Sequence, residues 1–339
     1  MKQVFTASYS TLGEAALAAF ITTNYDMPGA KCKFLVRGVS DTYLVTADSI
    51  RYIFRVYRCE QRTLTQVQAE AELLIALNNK NVPVSYPIAA TDGSYAQKLQ
   101  APEGERYAML FTYAVGKAIN MPGTGQLQHL GRAMAGFHNV SSTIQLSDKR
   151  WTFDIETTLT GPLEAIKFAF EQEQESYNLL TQIAGTAREK LVAFDSTNFT
   201  MGYCHFDFLP KNFHFDGDKV TLFDFDFFGY GWLVNDIMTF WIHLCWEVLF
   251  GRVTENQADN AFAVFIAAYR SIRPVSGTEL SAIPYLAPGF WLFYLGFYPT
   301  HDQFYPLLQP AALKMRVDFI CRMEEKYWND ATAQKLSII

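Results

Sequence analysis

The segment YCHFDFLPKNFHFDGDKVTLFDFDFFGYG (residues 203–231) mixes acidic and aromatic side chains densely. Between His205 and Asp226 stand five aspartates, two histidines and one asparagine, and most of the other positions are Phe or Leu. Aromatic side chains favour the core, whereas carboxylates are rarely buried without a partner. The segment is therefore either a solvated strand edge or a site where buried charge has a function.

A β-hairpin is predicted for FHFDGDKVTLF (213–223), because Asp-Gly suits a turn that requires positive φ. The turn falls at Asp216-Gly217, so that Asn212 and Asp224 lie on adjacent strands. Asp207 stands in the loop that enters the first strand. We therefore expect Asp207, Asn212 and Asp224 to meet at one mouth of the hairpin.

The spacing H-x-D-x-x-x-x-N from His205 to Asn212, followed by a further aspartate, is that of a kinase catalytic loop with its metal-binding aspartate. Phosphoryl transfer needs an acceptor for the proton of the attacking hydroxyl, and Asp207 can supply it. Mg²⁺ prefers oxygen ligands, which Asn212 and Asp224 can provide. The alternatives are a solvated loop residue at Asp207, a turn residue at Asn212 and a plain strand-end carboxylate at Asp224.

The rest of the chain divides into a β-rich front and a helical remainder. Strands are predicted at 32–37, 42–47 and 51–57, with further strands before Gly116. Apolar residues at helical spacing predict helices at 10–24, 63–79 and 126–142, over most of 162–194, and from 233 onward. The sequence thus predicts an α+β protein with a small β-rich portion and a larger, mostly helical portion.

The amino-acid composition limits which classes of protein the chain can belong to. Half of the 339 residues are hydrophobic, 18% are charged and the net charge is −6, without a basic stripe. We therefore expect a globular protein with no nucleic-acid partner. The five cysteines are scattered, which disfavours a disulfide framework and a zinc site.

No signal peptide is expected from the N-terminal residues, and no apolar run reaches the roughly 18 residues of a membrane span. The nearest stretch, MTFWIHLCWEVLF, is broken by His243 and Glu247. The expected location is cytoplasmic, with no membrane partner.

With these motifs the chain resembles the aminoglycoside phosphotransferase and choline kinase family, which shares the protein-kinase-like fold. HFDFLPKN and FDFDFFGYGWLVND resemble the family's H-G-D-x-x-x-x-N and I-D-F-x-x-x-G-x-G-x-x-x-x-D, and LGRAMAGFHNV resembles its L-G-x-x-L-A-x-x-H. The similarity covers about residues 30–245. YRSIRPVSGTELSAIPYL also resembles the subgroup with type II homoserine kinases and bacterial stress-response Ser/Thr kinases.

The resemblance implies a bilobal protein-kinase-like fold, with an N-terminal nucleotide-binding lobe (1–112) and a C-terminal catalytic and acceptor-binding lobe (113–339). It implies ATP and Mg²⁺ as cofactors. In the small lobe the resemblance implies nucleotide contacts from Ser40 and Asp41 in the turn that covers the nucleotide. It implies that Arg55 pairs with the phosphates and that Glu70 is its ion-pair partner. Phe111 and Tyr113 would form the hinge beside the adenine.

In the large lobe the resemblance implies catalysis by Asp207 and structural support from His205 and Asp236. Asp226 is either a second metal contact or part of a solvated face. The chain departs from the family at two positions: Arg55 stands where Lys is common, and Phe206 follows His205 where Gly is usual. Arg retains its charge and can bridge phosphate oxygens, so the first departure is compatible with nucleotide binding.

The predicted function is transfer of the γ-phosphoryl group of ATP to a hydroxyl of a small-molecule acceptor, by a monomer or homodimer. The alternatives are a catalytically silent kinase fold that binds nucleotide or another ligand, a protein Ser/Thr kinase of the same family, and a metallohydrolase that holds a metal with His205, Asp207, His214 and a further carboxylate. Trp232, Tyr230, Trp291 and Tyr294 either line an acceptor pocket or pack in the core. The sequence names neither the acceptor nor the preference between ATP and GTP.

Overall fold

The computed structural model describes Phe5 and residues 7–339. An antiparallel sheet of six strands forms its first part. The elements of that part are α1 (Glu14–Asn24), β1 (Lys31–Arg37), β2 (Asp41–Ala47), β3 (Ile50–Val56), α2 (Leu64–Asn79), β4 (Pro87–Ile88), β5 (Gln97–Ala101) and β6 (Gly104–Thr112). The strand order is β1-β2-β3-β6-β4, and β5 also pairs with β6.

The core of this sheet follows from side-chain alternation. In β2, Tyr43 and Val45 are fully buried while the positions between them are half-exposed, because successive side chains of a strand point to opposite faces. They pack in one hydrophobic cluster with Leu17 and Ile21 of α1. The helix therefore covers one face of the sheet.

Helix α2 begins at a capping box, in which the Thr63 side chain accepts from the Gln66 backbone N–H and the Gln66 side chain accepts from the Thr63 N–H. Its buried face carries Val67, Leu73, Leu74 and Leu77, as helical spacing predicts, together with one carboxylate, Glu70.

Helices dominate the remainder. Its elements are α3 (Thr124–Ser141), β7 (Thr152–Phe153), α4 (Gly161–Ile166), α5 (Gln174–Ala193), β8 (Met201–Cys204), β9 (Phe213–Asp216), β10 (Lys219–Leu222), β11 (Gly229–Trp232), α6 (Val234–Leu249), α7 (Glu255–Arg270), α8 (Gly277–Ser281), α9 (Ile283–Phe297), α10 (Pro310–Tyr327) and α11 (Asp330–Ser337). Helix α9 is buried nearly all round, with α4, α5 and α6 packed on it.

This part of the chain also forms two short sheets. Strand β11 pairs with β7 and, antiparallel, with β8. The glycines of FFGYG permit this contact: a Cβ at Gly229 would lie 2.6 Å from the Trp151 Cβ, and one at Gly231 would lie 2.9 Å from the Phe153 Cβ. Strands β9 and β10 form the predicted hairpin, and Gly217 in its turn has φ +60°.

Contacts between residues divide the chain into two units. The β-rich unit comprises the described residues up to Gly116 with Ile144–Lys149 and Thr221–Asp226, and the helical unit comprises Lys117–Thr143, Arg150–Val220 and Phe227–Ile339. Asp224 and Asp226 thus belong to the β-rich unit, although they lie far along the chain from its other residues. The domain boundary at 112/113 stays a prediction.

The α+β class is confirmed, with a β-rich N-terminal part and a helical C-terminal part. The predicted strands and helices are present with bounds shifted by a few residues. Helix α1 begins at Glu14 rather than at residue 10, and the predicted helical region 162–194 is interrupted between α4 and α5.

Candidate active site

The loop that follows β8 carries the His205–Asn212 motif and belongs to the helical unit. Asp236, near the start of α6, accepts hydrogen bonds from the backbone N–H groups of His205 (2.8 Å) and Phe206 (2.7 Å). Asp236 is fully buried, and His138 Nε2 lies 3.0 Å from its Oδ2. Two backbone donors and one side chain therefore hold this carboxylate, and through it the backbone that leads to Asp207.

His138 extends this network to α7, because its Nδ1 lies 2.8 Å from the Tyr269 hydroxyl. Burial lowers the pKa of His138, and the hydrogen bond to Asp236 offsets this only in part. The sequence patterns alone do not assign His138 to the site. Its signal is the final His of LGRAMAGFHNV, whose helical spacing places it on the buried face of α3.

Phe206 adopts φ +60°, a backbone conformation that is uncommon for residues other than Gly. Its buried ring stacks on Phe153 with centroids 3.8 Å apart and an interplanar angle of 9°. It also meets Phe293 edge-on at 5.1 Å. Aromatic packing and the hydrogen bond to Asp236 thus hold a loop conformation that Gly would adopt without strain.

Asp207 is 2% exposed, and its two carboxylate oxygens differ. Oδ2 accepts from Asn212 Nδ2 (2.8 Å) and lies 2.7 Å from Lys211 Nζ. Oδ1 is buried and has no hydrogen-bond partner among the residues that the structure describes. A buried carboxylate oxygen without a partner is costly, and it suits an acceptor for a substrate hydroxyl.

Asn212 ends a 3₁₀ turn (Pro210–Asn212) directly before β9. Its amide nitrogen donates both to the Asp207 carboxylate and to the Asp207 backbone carbonyl, each at 2.8 Å. The amide oxygen is therefore the atom of Asn212 that remains for a metal ion. The catalytic-loop motif does not specify Lys211, and the signal for it is its position as the single basic residue between Asp207 and Asn212.

Arg55 of β3 lies at the centre of the second group of predicted residues, in the β-rich unit. Its guanidinium forms an ion pair with the buried Glu70 of α2, lies 2.9 Å from the Tyr57 hydroxyl, and lies 3.1 Å from Asp224 Oδ1. The Tyr57 hydroxyl donates to the other Glu70 oxygen at 2.8 Å. No motif points to Tyr57, and the signal for it is the i, i+2 spacing that places it on the same strand face as Arg55.

The pKa of Arg55 is raised. Burial acts against its charged form, but its interactions with Tyr57, Asp226 and Asp224 outweigh that effect. The ring of Phe111, a predicted hinge residue, lies 4.9 Å from the guanidinium carbon. Tyr113, the other hinge residue, is half-exposed and stacks under Arg51 at 4.1 Å.

Asp224 and Asp226 differ in exposure although two positions separate them. The Asp224 side chain is 48% exposed and its backbone has φ +63°. Asp226 is 3% exposed; one carboxylate oxygen lies 3.1 Å from Arg62 and the other accepts from Ser40 at 2.9 Å. The prediction that Asp226 lies on a solvated face is therefore wrong. The role of Asp226 as a second metal contact stays a prediction.

Asp41, predicted beside the nucleotide, is 1% exposed. One of its oxygens lies 2.7 Å from Arg106 and the other accepts from the Tyr9 hydroxyl. Its carboxylate is thus occupied within the sheet, and nucleotide contacts from Ser40 and Asp41 stay predictions.

The structure therefore brings the predicted residues together in two groups, Asp207 with Asn212, His205 and Asp236, and Arg55 with Glu70, Phe111 and Asp224. The expected meeting of Asp224 with Asp207 stays a prediction. Among the described residues, no group of three or more His, Cys, Asp or Glu side chains could hold a metal ion. Mg²⁺ is typically bound by one or two carboxylates together with substrate phosphates and water. A carboxylate such as Asp224 and an amide oxygen such as that of Asn212 are donors of the kind this ion prefers, and their role as its ligands stays a prediction.

The profile of the phosphotransferase enzyme family (APH) matches residues 31–275, and the chain belongs to this family. A Synechocystis protein, the uncharacterized protein sll1119, is 33% identical over 282 residues, which are 82% of this chain and 76% of that protein. A homoserine kinase of Mesorhizobium japonicum is 25% identical over 299 residues, or 84% of each chain. The predicted resemblance to this family, with homoserine kinases among its members, is confirmed.

Solved structures agree in fold. A microcompartment-associated aminopropanol kinase superposes with a TM-score of 0.73 at 21% identity, over 91% of this chain and 95% of that one. The amicoumacin kinase hAmiN, in complex with AMP-PNP, Ca²⁺ and Ami, superposes with a TM-score of 0.69 at 18% identity, over 93% and 94% of the two chains. The protein-kinase-like fold is therefore confirmed. Among the helices that the structure describes, none has the length and apolar character that a membrane span requires.

Proposed function

We propose that this chain is an ATP-dependent phosphotransferase that moves the γ-phosphoryl group of ATP to a hydroxyl of a small-molecule acceptor. The observation that carries the proposal is the Asp207 carboxylate, with one oxygen held by Asn212 and Lys211 and the other buried without a partner among the described residues. The family and the kinase neighbours, one of which holds AMP-PNP and Ca²⁺, support it.

Asp207 Oδ1 has the role of orienting the acceptor hydroxyl and accepting its proton. The hydrogen bonds of Asp236 to the backbone of His205 and Phe206 keep the loop before Asp207 in one conformation. Preorganised groups lower the barrier because no reorganisation is needed during the reaction.

Arg55, fixed by Glu70 and Tyr57, has the role of pairing with the nucleotide phosphates, since a guanidinium matches phosphate oxygens bidentately. The oxygens of Asn212 and Asp224 have the role of metal ligands. Bound Mg²⁺ would neutralise the charge of the phosphates. The exposed Asp224 carboxylate is accessible for that role, whereas Asp226 is committed to Arg62 and Ser40.

The test is thermal unfolding of the full chain with and without Mg·ATP. A ligand that binds only the native state raises the melting temperature, so we expect an increase at millimolar Mg·ATP. Asp224→Ala is expected to lose the Mg²⁺-dependent part of the increase, while Asp216→Ala, exposed in the hairpin turn, is expected to retain it. No increase in the wild-type protein would remove nucleotide binding and with it the proposed function.

Turnover distinguishes an active enzyme from a silent nucleotide-binding fold. ADP formation is measured against a panel of small hydroxylated compounds, with a Ser/Thr-containing protein as a separate arm. Stabilisation by Mg·ATP without ADP formation in any arm would favour the silent fold. ADP formation only in the arm that contains the Ser/Thr-containing protein substrate would favour a protein kinase.

A further inference from the structure

Asp224, the predicted metal ligand, has a left-handed backbone conformation with φ +63°. This conformation costs free energy in residues other than Gly, and it persists only where the surrounding structure fixes it. The side chain of Asp224 is half-exposed, so its own burial contributes little to that fixation. The residues on either side of Asp224 must therefore hold the backbone in place.

On the N-terminal side the backbone is anchored at Leu222, the last residue of β10. The Leu222 N–H donates to the Pro83 carbonyl, and the Leu222 carbonyl accepts from the Ser85 N–H, each at 2.8 Å. Leu222 thus forms a parallel β-bridge with Val84. Main-chain hydrogen bonds therefore hold the chain two positions before Asp224.

On the C-terminal side the anchor is the buried Asp226. Arg62, two positions before α2, donates to one carboxylate oxygen and to the backbone carbonyl of Asp226, each at 3.1 Å. The other carboxylate oxygen accepts from the Ser40 hydroxyl at 2.9 Å. Ser40 and Arg62 are buried as well. Asp226 is therefore held through its side chain and its main chain together, two positions after Asp224.

Ser40 lies in the turn between β1 and β2, and this turn is itself fixed at the next residue. One oxygen of the buried Asp41 carboxylate lies 2.7 Å from Arg106, and the other accepts from the Tyr9 hydroxyl. The turn therefore presents the Ser40 hydroxyl to Asp226 from a fixed position. All of these residues belong to the β-rich unit.

We propose that Ser40, Arg62 and Asp226 are positioning residues that hold the metal ligand Asp224 in place. Asp226 then acts on the metal ion through Asp224 and is not itself a ligand, because both of its carboxylate oxygens are engaged. A carboxylate that is already ordered does not lose further conformational freedom when the ion binds, which increases affinity. The inference rests on the proposed function, because it takes Asp224 as a ligand of the Mg²⁺ that accompanies ATP.

The experiment removes one hydrogen bond to Asp226 and leaves the charges of Asp226 and Arg62 unchanged. Ser40→Ala lacks the hydroxyl, whereas Ser40→Thr retains it. Thr46→Val is the matched control, because Thr46 is half-buried on β2 and its hydroxyl has no hydrogen-bond partner in the part of the chain that the structure describes. Calorimetry measures the affinity of each full-length variant for ATP, once with Mg²⁺ and once with EDTA. Amide hydrogen exchange over residues 222–226, without nucleotide, measures how firmly this segment is held.

Ser40→Ala is expected to weaken the binding of Mg·ATP by about threefold to tenfold, which is the range that the loss of one hydrogen bond gives. Its affinity for ATP in EDTA should stay near that of the wild type, and hydrogen exchange over residues 222–226 should be faster. Ser40→Thr should recover most of the lost affinity, and Thr46→Val should behave as the wild type. In Asp224→Ala protein, Ser40→Ala should cause no further loss, because the ligand that Ser40 helps to position is then absent.

Three results would overturn the inference and leave the proposed function in place. The first is a Ser40→Ala protein whose Mg·ATP affinity and hydrogen exchange equal those of Thr46→Val. The second is an equal loss of ATP affinity in EDTA, which would mean that Ser40 acts on the nucleotide itself. The third is tighter binding of Mg·ATP by Ser40→Ala, which would make the released Asp226 carboxylate a metal ligand. Absence of Mg·ATP binding in the wild-type protein would instead contradict the proposed function itself.

Discussion

Arg55 Nη1 lies 3.1 Å from Asp224 Oδ1, although 169 positions separate the two residues along the chain. The arginine is buried and also paired with Glu70, whereas the Asp224 side chain is half-exposed. The predicted phosphate-binding cation is therefore paired with the predicted metal ligand. Binding of Mg·ATP is expected to replace this contact, with Arg55 turning to phosphate oxygens and Asp224 to the metal.

Arg55→Met is expected to destabilise the protein by about 3–5 kcal/mol, because it leaves the buried Glu70 carboxylate without its cation. Adding Glu70→Gln should recover part of that loss, since the uncompensated charge is then removed. Urea unfolding measures both variants. Arg51, which is exposed on the same strand, provides the control. Arg51→Met should lower the free energy of unfolding by no more than about 0.5 kcal/mol. An equal loss at both arginines would contradict the importance of the buried pair.

Asp207→Asn is expected to lower kcat by about 10² or more while the affinity for Mg·ATP stays near that of the wild type. The substitution preserves shape but removes the basic oxygen that accepts the hydroxyl proton. Steady-state ADP formation gives kcat, and calorimetry gives the affinity. Asp216→Asn, in the exposed hairpin turn, should leave both unchanged. Wild-type turnover in Asp207→Asn would exclude a catalytic role for this carboxylate.

At Phe206 the Gly variant is expected to be more stable than the Ala variant, which reverses the usual order of stability. Truncation to Ala removes buried stacking and costs about 3–5 kcal/mol. Because φ is +60°, Gly should be the better replacement by about 1 kcal/mol, since it has no Cβ to strain the left-handed conformation.

The comparison for this prediction is Phe208, which is equally buried and has no positive φ. There Ala should be more stable than Gly, because Gly loses more backbone entropy on folding. Urea unfolding of the four variants gives the two differences. The same order of Ala and Gly at both positions would contradict the assigned strain.

Stability is expected to fall as the pH decreases below about 6.5. Burial lowers the pKa of His138, so the unfolded chain, with a histidine pKa of about 6.5, takes up a proton that the folded protein does not. The full contribution of His138 is therefore present above that pH and is lost progressively below it. Burial lowers the pKa of His243 as well, so His138 supplies only part of the effect.

Urea unfolding between pH 7.5 and 5 measures this dependence. His138→Gln should show a shallower loss of stability toward low pH than the wild type. His129→Gln, exposed on the same helix, should keep the wild-type slope. If the two variants show the same slope, the pH dependence arises elsewhere in the protein.

Local sequence patterns were sufficient to predict much of the fold and to select residues of the candidate site. Alternation in β2, the Asp216-Gly217 turn and the helical spacing in α2 each depend on residues a few positions apart, and all three are present. The H-x-D-x-x-x-x-N spacing likewise marked Asp207 and Asn212, which the structure places in direct hydrogen-bond contact.

The partners of the charged groups were decided by the tertiary structure. The sequence is compatible with either a metal contact or a solvated face at Asp226, whereas the structure buries this residue against Arg62, 164 positions away. Nothing near Arg316 in the sequence indicates that it lies on Trp291 and Tyr298 without a carboxylate partner among the described residues. The exposure and pairing of a charge depend on which distant segments pack around it, and a carboxylate has the same local sequence whether the completed fold leaves it in water or against an arginine.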